Sequence, residues 1–171
     1  MQDNTLLKKN IILLLLISPF LLYLPFYYLK GYYIAFAIDI NSLNLSPIVF
    51  FIAFCENCLP FVAICALIFN FLRGKNILNY IFYMYIILFI SVLIIFVKGM
   101  FDAKHLITKE SYHVVEFEFN QQGRKYINPN KMELMYVTFA NDSYYLFERK
   151  KRKLYIFPKE EFKWITIQKV K

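Results

Sequence analysis

Glycine, histidine and charged residues are scarce in this 171-residue chain. It contains four glycines and two histidines, and 19% of its residues are charged, against about 25% in an average soluble domain. The glycines lie far apart, which excludes a glycine-rich phosphate loop or a dinucleotide fingerprint, because each needs two or three glycines close together. The three cysteines (Cys55, Cys58 and Cys65) share one apolar stretch, which argues against a disulfide framework or a zinc site. We therefore predict no metal and no cofactor.

Apolar residues, by contrast, make up 59% of the chain. This composition excludes disorder and argues against an ordinary soluble globule. The charges are unevenly placed, because most of the 20 Lys and Arg residues follow Val97. We therefore predict a membrane domain over 1–97 and a basic, soluble β domain over 98–171.

Three stretches of the first domain are long and apolar enough to be transmembrane helices, namely 11–29, 48–72 and 77–97. The first and third carry no charge and the second carries only Glu56. As a helix, 11–29 would extend roughly 28 Å, close to the hydrocarbon thickness of about 30 Å. The tyrosines at 27, 28, 32 and 33 match the aromatic belt of a lipid–water boundary, and we expect the short segment 33–38 to lie at that boundary.

Basic residues flanking these spans predict the orientation. Three crossings place Lys8, Lys9, Arg73 and Lys75 on one side, and Lys30, Lys98, Lys104 and the tail on the other. Counted over short loops and flanks, the positive-inside rule places the N-terminus in the cytoplasm and the β domain on the opposite side. The frequency of Lys, Asn, Ile, Phe and Tyr suggests an AT-rich bacterial genome. We therefore expect the bacterial cytoplasmic membrane.

The tail has the period-two alternation of short β-strands. Val115, Phe117 and Phe119 alternate with Glu116 and Glu118, as in a half-buried strand. Further strands are predicted at 125–127, 132–140, 143–148, 154–157 and 162–168, with turns at 120–123, 128–130 and 141–142 and a single helical turn at 158–161. Such spacing resembles SH3-like and Sm-like proteins, and predicts a small barrel or a bent antiparallel sheet.

Glu56 is the most informative single residue of the membrane domain. A carboxylate near the centre of a membrane helix costs about 2.5–3.5 kcal/mol on insertion scales. Asn57 lies beside it, and Pro60 cannot donate to the Glu56 carbonyl, so the helix is weakened there. One interpretation is an ion relay or a polar site for a partner helix. The other is a protonated side chain bonded to Tyr80, Tyr83, Asn79 or Ser91 on the facing helix.

The second polar feature is a run of basic residues in the tail: Arg149, Lys150, Lys151, Arg152 and Lys153. It has three interpretations, which are a solvated hairpin tip, a patch for anionic lipid headgroups and a nucleic-acid contact. Alternation turns about half of the nearby tyrosines into the core, so we do not expect nucleic acid as a partner.

The sequence offers no catalytic residues. It has no nucleophile motif and no zinc-protease motif. Glu116 and Glu118 share a strand face, where salt bridges to Arg124 or Lys125 explain them. We predict that the protein is not an enzyme.

Together these features predict a multi-pass membrane protein that binds a protein partner, or another copy, through its helices and basic tail. The stretch Ser46-Pro47 … Cys58-Leu59-Pro60-Phe61 resembles the second helix of immunity proteins against pore-forming colicins, from which the β tail departs. The resemblance implies inhibition of a membrane-active toxin. The alternatives are an oligomeric transport or channel subunit that uses Glu56, and a membrane-tethered lipid or nucleic-acid binder that uses 149–153.

Overall fold

The computed structural model describes residues 2–72, 76–108, 113–119 and 134–169. Helices come first and strands follow. The elements are α1 (Gln2–Ile34), α2 (Pro47–Ala53), α3 (Leu59–Leu72), α4 (Ile77–Thr108), β1 (His113–Phe119), β2 (Leu134–Ala140), β3 (Ser143–Glu148), β4 (Lys153–Pro158) and β5 (Phe162–Lys169). A π-helical turn, Phe54–Cys58, joins α2 to α3, so that these two form one continuous helix.

Among the residues that the structure describes, two helices are long and apolar enough to cross a membrane, by length and composition: Pro47–Leu72 with 26 residues and Leu78–Thr108 with 31. Pro47–Leu72 contains the second predicted span. The third predicted span lies within α4, which continues past the predicted end at Val97. The first predicted span lies within α1, which also contains Pro19 and Pro25. The side chains of residues 12–14, 16 and 17 in that span lie outside the described residues, and its crossing stays a prediction.

The described residues form two compact units, of which the first is Met1–Tyr32 with Ser46–Phe101. Helices α3 and α4 pack antiparallel, and Cys65 Sγ lies 3.3 Å from Ser91 Oγ. Near the start of α4, an apolar cluster is formed by Cys65, Phe69, Tyr80, Met84 and Leu88, against which Phe20 of α1 packs. Because Phe20 lies near the start of α4 and Gly31 contacts Phe96 further along it, α1 runs in the same direction as α4.

Two of the four glycines allow α1 and α4 to touch through their backbones. A Cβ added at Gly31 would collide with the Phe96 carbonyl oxygen, and one added at Gly99 would collide with the Tyr28 carbonyl oxygen. Small residues at such a crossing let two helices approach closely, with Cα–H···O contacts in place of side-chain packing. This crossing fixes α1 against α4 in the first unit.

The second unit consists of Tyr33–Leu45 and Asp102–Lys171. Its strands are antiparallel in the order β4-β3-β2-β1-β5. The sheet is open and has two parts, a β1–β5 ladder and a β2–β3–β4 ladder, linked by the described pair Val114–Met135. The predicted small antiparallel β region is confirmed. The predicted strand 125–127 and the turns 120–123 and 128–130 lie outside the described residues.

Local chemistry explains the β2–β3 hairpin. Asn141 and Asp142 adopt φ values of 51° and 52°, the positive values that a two-residue type I′ turn requires and that Asn and Asp tolerate. Simple alternation fails in β2, because a bulge interrupts the register between Tyr136 and Thr138 and both Leu134 and Met135 are fully buried. One face of the sheet holds a core of Val115, Phe119, Leu134, Leu146, Phe157 and Phe162.

The inter-helix segment Tyr33–Leu45 packs on the sheet within the second unit, and the location of 33–38 at a membrane boundary stays a prediction. The Phe36 ring meets the Phe147 ring edge-on at 5.3 Å, and Tyr33 donates to Thr138 Oγ1 at 3.3 Å. The Asn141 side chain donates to the Ser42 carbonyl and accepts from the Asn44 amide. Two aromatic side chains of this segment, Tyr33 and Phe36, are therefore buried against the sheet.

Candidate functional site

A π-helical turn at Phe54–Cys58 interrupts the helix that contains Glu56. Pro60 has no N–H to donate to the Glu56 carbonyl, and the Leu59 N–H bonds to the Phe54 carbonyl, five residues back. The weakening expected from Pro60 therefore takes the form of one wide turn. Single π-turns inside α-helices are often found at functional sites.

Asn57 is half-buried within the first unit and contacts Lys98 of α4. Lys98 Nζ donates to Asn57 Oδ1 at 2.9 Å and lies 5.2 Å from the centre of the Tyr28 ring. An amide oxygen and an aromatic face both favour an ammonium group. This contact joins all three helices at one level, next to the Gly31–Gly99 crossing.

Glu56 is exposed, whereas Asn57 is half-buried. Its helix neighbours Ala53 and Cys58 are buried, so the turn separates an inward side from an outward one. We call the outward side the Glu56 face; its members are Ile48, Phe51, Ile52, Cys55, Glu56 and Leu59, all of them exposed. The Glu56 face is an apolar surface that carries one carboxyl group.

The remaining residues of the predicted intramembrane site are not brought to Lys98. Tyr80 is 2% exposed and lies in the cluster at the start of α4, while Tyr83 is exposed on α4. Ser91 donates to the Ile87 carbonyl. Lys98 and Tyr28 were missed, because the sequence marked Lys98 only as the end of an apolar run and Tyr28 only as one of several boundary tyrosines.

The basic run at 149–153 forms the turn between β3 and β4 and the start of β4. Arg149 is half-buried and donates from Nε to the Ile107 carbonyl at 2.7 Å, which satisfies one of the last carbonyls of α4. Lys151 forms an ion pair with Glu148 at 3.1 Å, and Lys153 lies 5.1 Å from the Tyr155 ring centre. Lys150 and Arg152 are exposed, as are the other two lysines.

The Glu118 carboxylate of β1 contacts the last strand. Glu118 accepts from Trp164 Nε1 at 2.9 Å and from Lys163 at 3.4 Å, because β1 pairs with β5. The expected partners Arg124 and Lys125 lie outside the described residues. Within the described part of the chain, no three His, Cys, Asp or Glu side chains come together in a way that could hold a metal ion.

The chain matches no protein-family model, no curated protein and no solved structure. Function is therefore inferred from helix packing and from the chemistry of the exposed side chains.

Proposed function

We propose that this chain is a non-enzymatic, multi-pass membrane protein that binds another membrane protein through the Glu56 face. The exposure of its apolar helices supports a location in lipid. Within the most apolar window of each helix, 17% of Pro47–Leu72 and 28% of Leu78–Thr108 is buried. A core helix of a soluble protein is mostly covered by its neighbours, whereas lipid would cover the rest here.

The packing within each unit supports three crossings. A crossing hairpin returns to the side on which it starts, so Tyr33–Leu45 and the sheet must share a side, and these two segments do pack together in the second unit. Helix α1 runs parallel to α4, which favours a crossing of its own. We propose the bacterial cytoplasmic membrane, with the N-terminus in the cytoplasm and the sheet opposite. A reporter fused after Lys171 that is active in the cytoplasm would contradict this orientation.

The Lys98–Asn57 bond supports a depth for Glu56 near the membrane boundary. Lys98 is the first charged residue after the apolar run 77–97, and Tyr28 lies at the same level. Both are residue types found at the edge of the hydrocarbon layer. At this depth, the cost of a carboxyl group is lower than the value of about 2.5–3.5 kcal/mol at the bilayer centre. A partner helix that covers the face would reduce it further.

Site-specific photo-crosslinking in cells tests this function. A photoreactive residue at Ile52, on the Glu56 face, should give a discrete heavier adduct, and Glu56→Gln should reduce it. The control is Leu93 on α4, which has the same exposure as Ile52, 49%, and should give no such adduct. Absence of an adduct specific to Ile52 would overturn the proposal.

The resemblance of Ser46–Phe61 to the second helix of colicin immunity proteins suggests one specific partner class. In that case the Glu56 face binds the helices of a pore-forming toxin, and cells that express this chain survive the toxin encoded beside it. Survival that is lost with Glu56→Gln and kept with Glu116→Gln would support this version. The β region departs from the helix-only pattern of that family.

We also propose that the open sheet is a bent antiparallel sheet of the SH3-like or Sm-like kind. The strand order β4-β3-β2-β1-β5, the bulge in β2 and the 3₁₀ turn Lys159–Glu161 between β4 and β5 support this. An alternative function is binding of anionic lipid headgroups by the exposed basic residues at the β3–β4 turn. Replacement of Lys150, Lys151, Arg152 and Lys153 by Gln should then abolish binding to anionic vesicles.

The third function open from the sequence, a transport or channel subunit, requires several copies that surround Glu56. Flux through reconstituted protein, lost in Glu56→Gln, together with a ring-sized crosslinked species, would favour it over partner binding.

A further inference from the structure

We infer that the occupant of the Glu56 face is a transmembrane helix of another protein that carries a lysine or arginine at the depth of Glu56. This inference rests on the proposed function and names the chemistry of the partner.

Charge complementarity on an apolar surface supports a partner helix with a basic residue. Ile52 and Leu59 flank the Glu56 carboxyl group and are exposed, so a helix that packs on them excludes water from the carboxyl group. Opposite charges attract more strongly as the local dielectric constant falls. The packing that excludes water therefore strengthens the attraction between Glu56 and a cationic side chain on the partner. With a wholly apolar partner, the same packing would leave the carboxyl group without a partner charge.

The proposed depth of the site lowers the free-energy cost of a cationic side chain on the partner helix. The ammonium group of Lys98 itself lies at this level, where it is bonded to Asn57 and lies over the Tyr28 ring. Near the boundary, a long basic side chain can extend its charged end towards the headgroups. A partner helix therefore needs one basic residue about one turn from its end.

A second copy of this chain fits the face less well. The members of the Glu56 face other than Glu56 are uncharged, so two copies packed face to face would bring two carboxyl groups together. Like charges in one site oppose each other, and one group must take up a proton. A foreign helix with a basic residue avoids this cost.

The test measures binding of synthetic helices to the full-length protein in phosphatidylcholine vesicles. The probe is a leucine-rich peptide of about 21 residues with one Lys a turn from its C-terminus. Matched peptides carry Leu or Glu at that position. Energy transfer from a fluorophore at the C-terminus of the protein to the peptide reports association.

We expect the Lys peptide to bind about 5- to 30-fold more tightly than the Leu peptide, as one interhelical polar contact of about 1–2 kcal/mol predicts. The Glu peptide should bind more weakly than either. Glu56→Gln should remove the preference for Lys, whereas Glu116→Gln, which changes an exposed carboxyl group on β1, should keep it.

Two results would overturn the inference. Equal binding of the Lys and Leu peptides would show that the face does not select a cation, even if the crosslink at Ile52 persists. Energy transfer between differently labelled copies of the protein, lost in Glu56→Gln, would show that a second copy is the occupant. Loss of the crosslink itself would instead overturn the proposed function.

Discussion

Replacing Gly99 with alanine should separate α1 from α4 and destabilise the first unit. The added Cβ would collide with the Tyr28 carbonyl oxygen and lie 2.9 Å from the Tyr32 amide nitrogen. Both neighbours are backbone atoms, which cannot rotate away as a side chain can. Helix α1 must therefore retreat, and a gap of about 0.5–1 Å forfeits a quarter to a half of the dispersion energy of each contact at the crossing.

The expected magnitude follows from two opposing effects. Overpacking of this kind costs about 1–3 kcal/mol, and the rigid neighbours favour the upper end. Alanine returns about 1 kcal/mol, because glycine is the poorer helix former. We therefore expect a net loss of about 2 kcal/mol, a roughly 30-fold shift in the unfolding equilibrium.

The assay is unfolding by sodium dodecyl sulfate in mixed micelles, followed by the helical circular dichroism signal. The Gly99→Ala midpoint should fall, while Ala66→Val, which adds volume at an exposed position on α3, should leave it nearly unchanged. Gly31→Ala should behave like Gly99→Ala. The double variant should lose less than the sum, because one retreat of α1 relieves both collisions. A Gly99→Ala protein as stable as the wild type would refute the close crossing.

Three further changes test other contacts. Asn57→Leu removes the acceptor of Lys98 and should cost about 1–3 kcal/mol in the same micelle assay, with much of the loss restored by a second change, Lys98→Met. Burial raises the pKa of Tyr33 by more than its hydrogen bond to Thr138 lowers it. The stability that Tyr33 contributes to the second unit is therefore present below its unfolded pKa of about 10 and is lost as the pH rises through the folded pKa. Tyr33→Phe should reduce the alkaline unfolding that Trp164 fluorescence reports. Arg149→Ala should destabilise that unit by about 1 kcal/mol in urea, whereas Lys153→Ala should change it by less than about 0.5 kcal/mol.

Features with a local cause could be predicted from the sequence. Predicted strand 143–148 matches β3, and the predicted helical turn lies at Lys159–Glu161, because alternation and turn residues act over a few neighbours. The Asn141-Asp142 turn and the weakening by Pro60 depend on the backbone conformations that those residues allow. Each of these signals is complete within one short segment.

Features that depend on distant segments could not be predicted. Gly31 and Gly99 look unremarkable until their helices cross, and Lys98 meets Asn57 only because α3 and α4 pack antiparallel. The contacts of Tyr33 and Phe36 with the sheet could not be predicted, since Thr138 and Phe147 lie more than a hundred residues away along the chain. The direction of Glu56, outward rather than towards α4, follows from the same three-dimensional packing.

Alkaline carbonate extraction of cell membranes, followed by ultracentrifugation, tests the central claim that the helices cross a lipid bilayer. We expect the full-length chain to stay in the pellet with integral proteins, because lipid would cover its exposed apolar helix surface. Recovery of the intact chain in the supernatant would contradict the membrane location, the depth of Glu56 and the partner proposed for it.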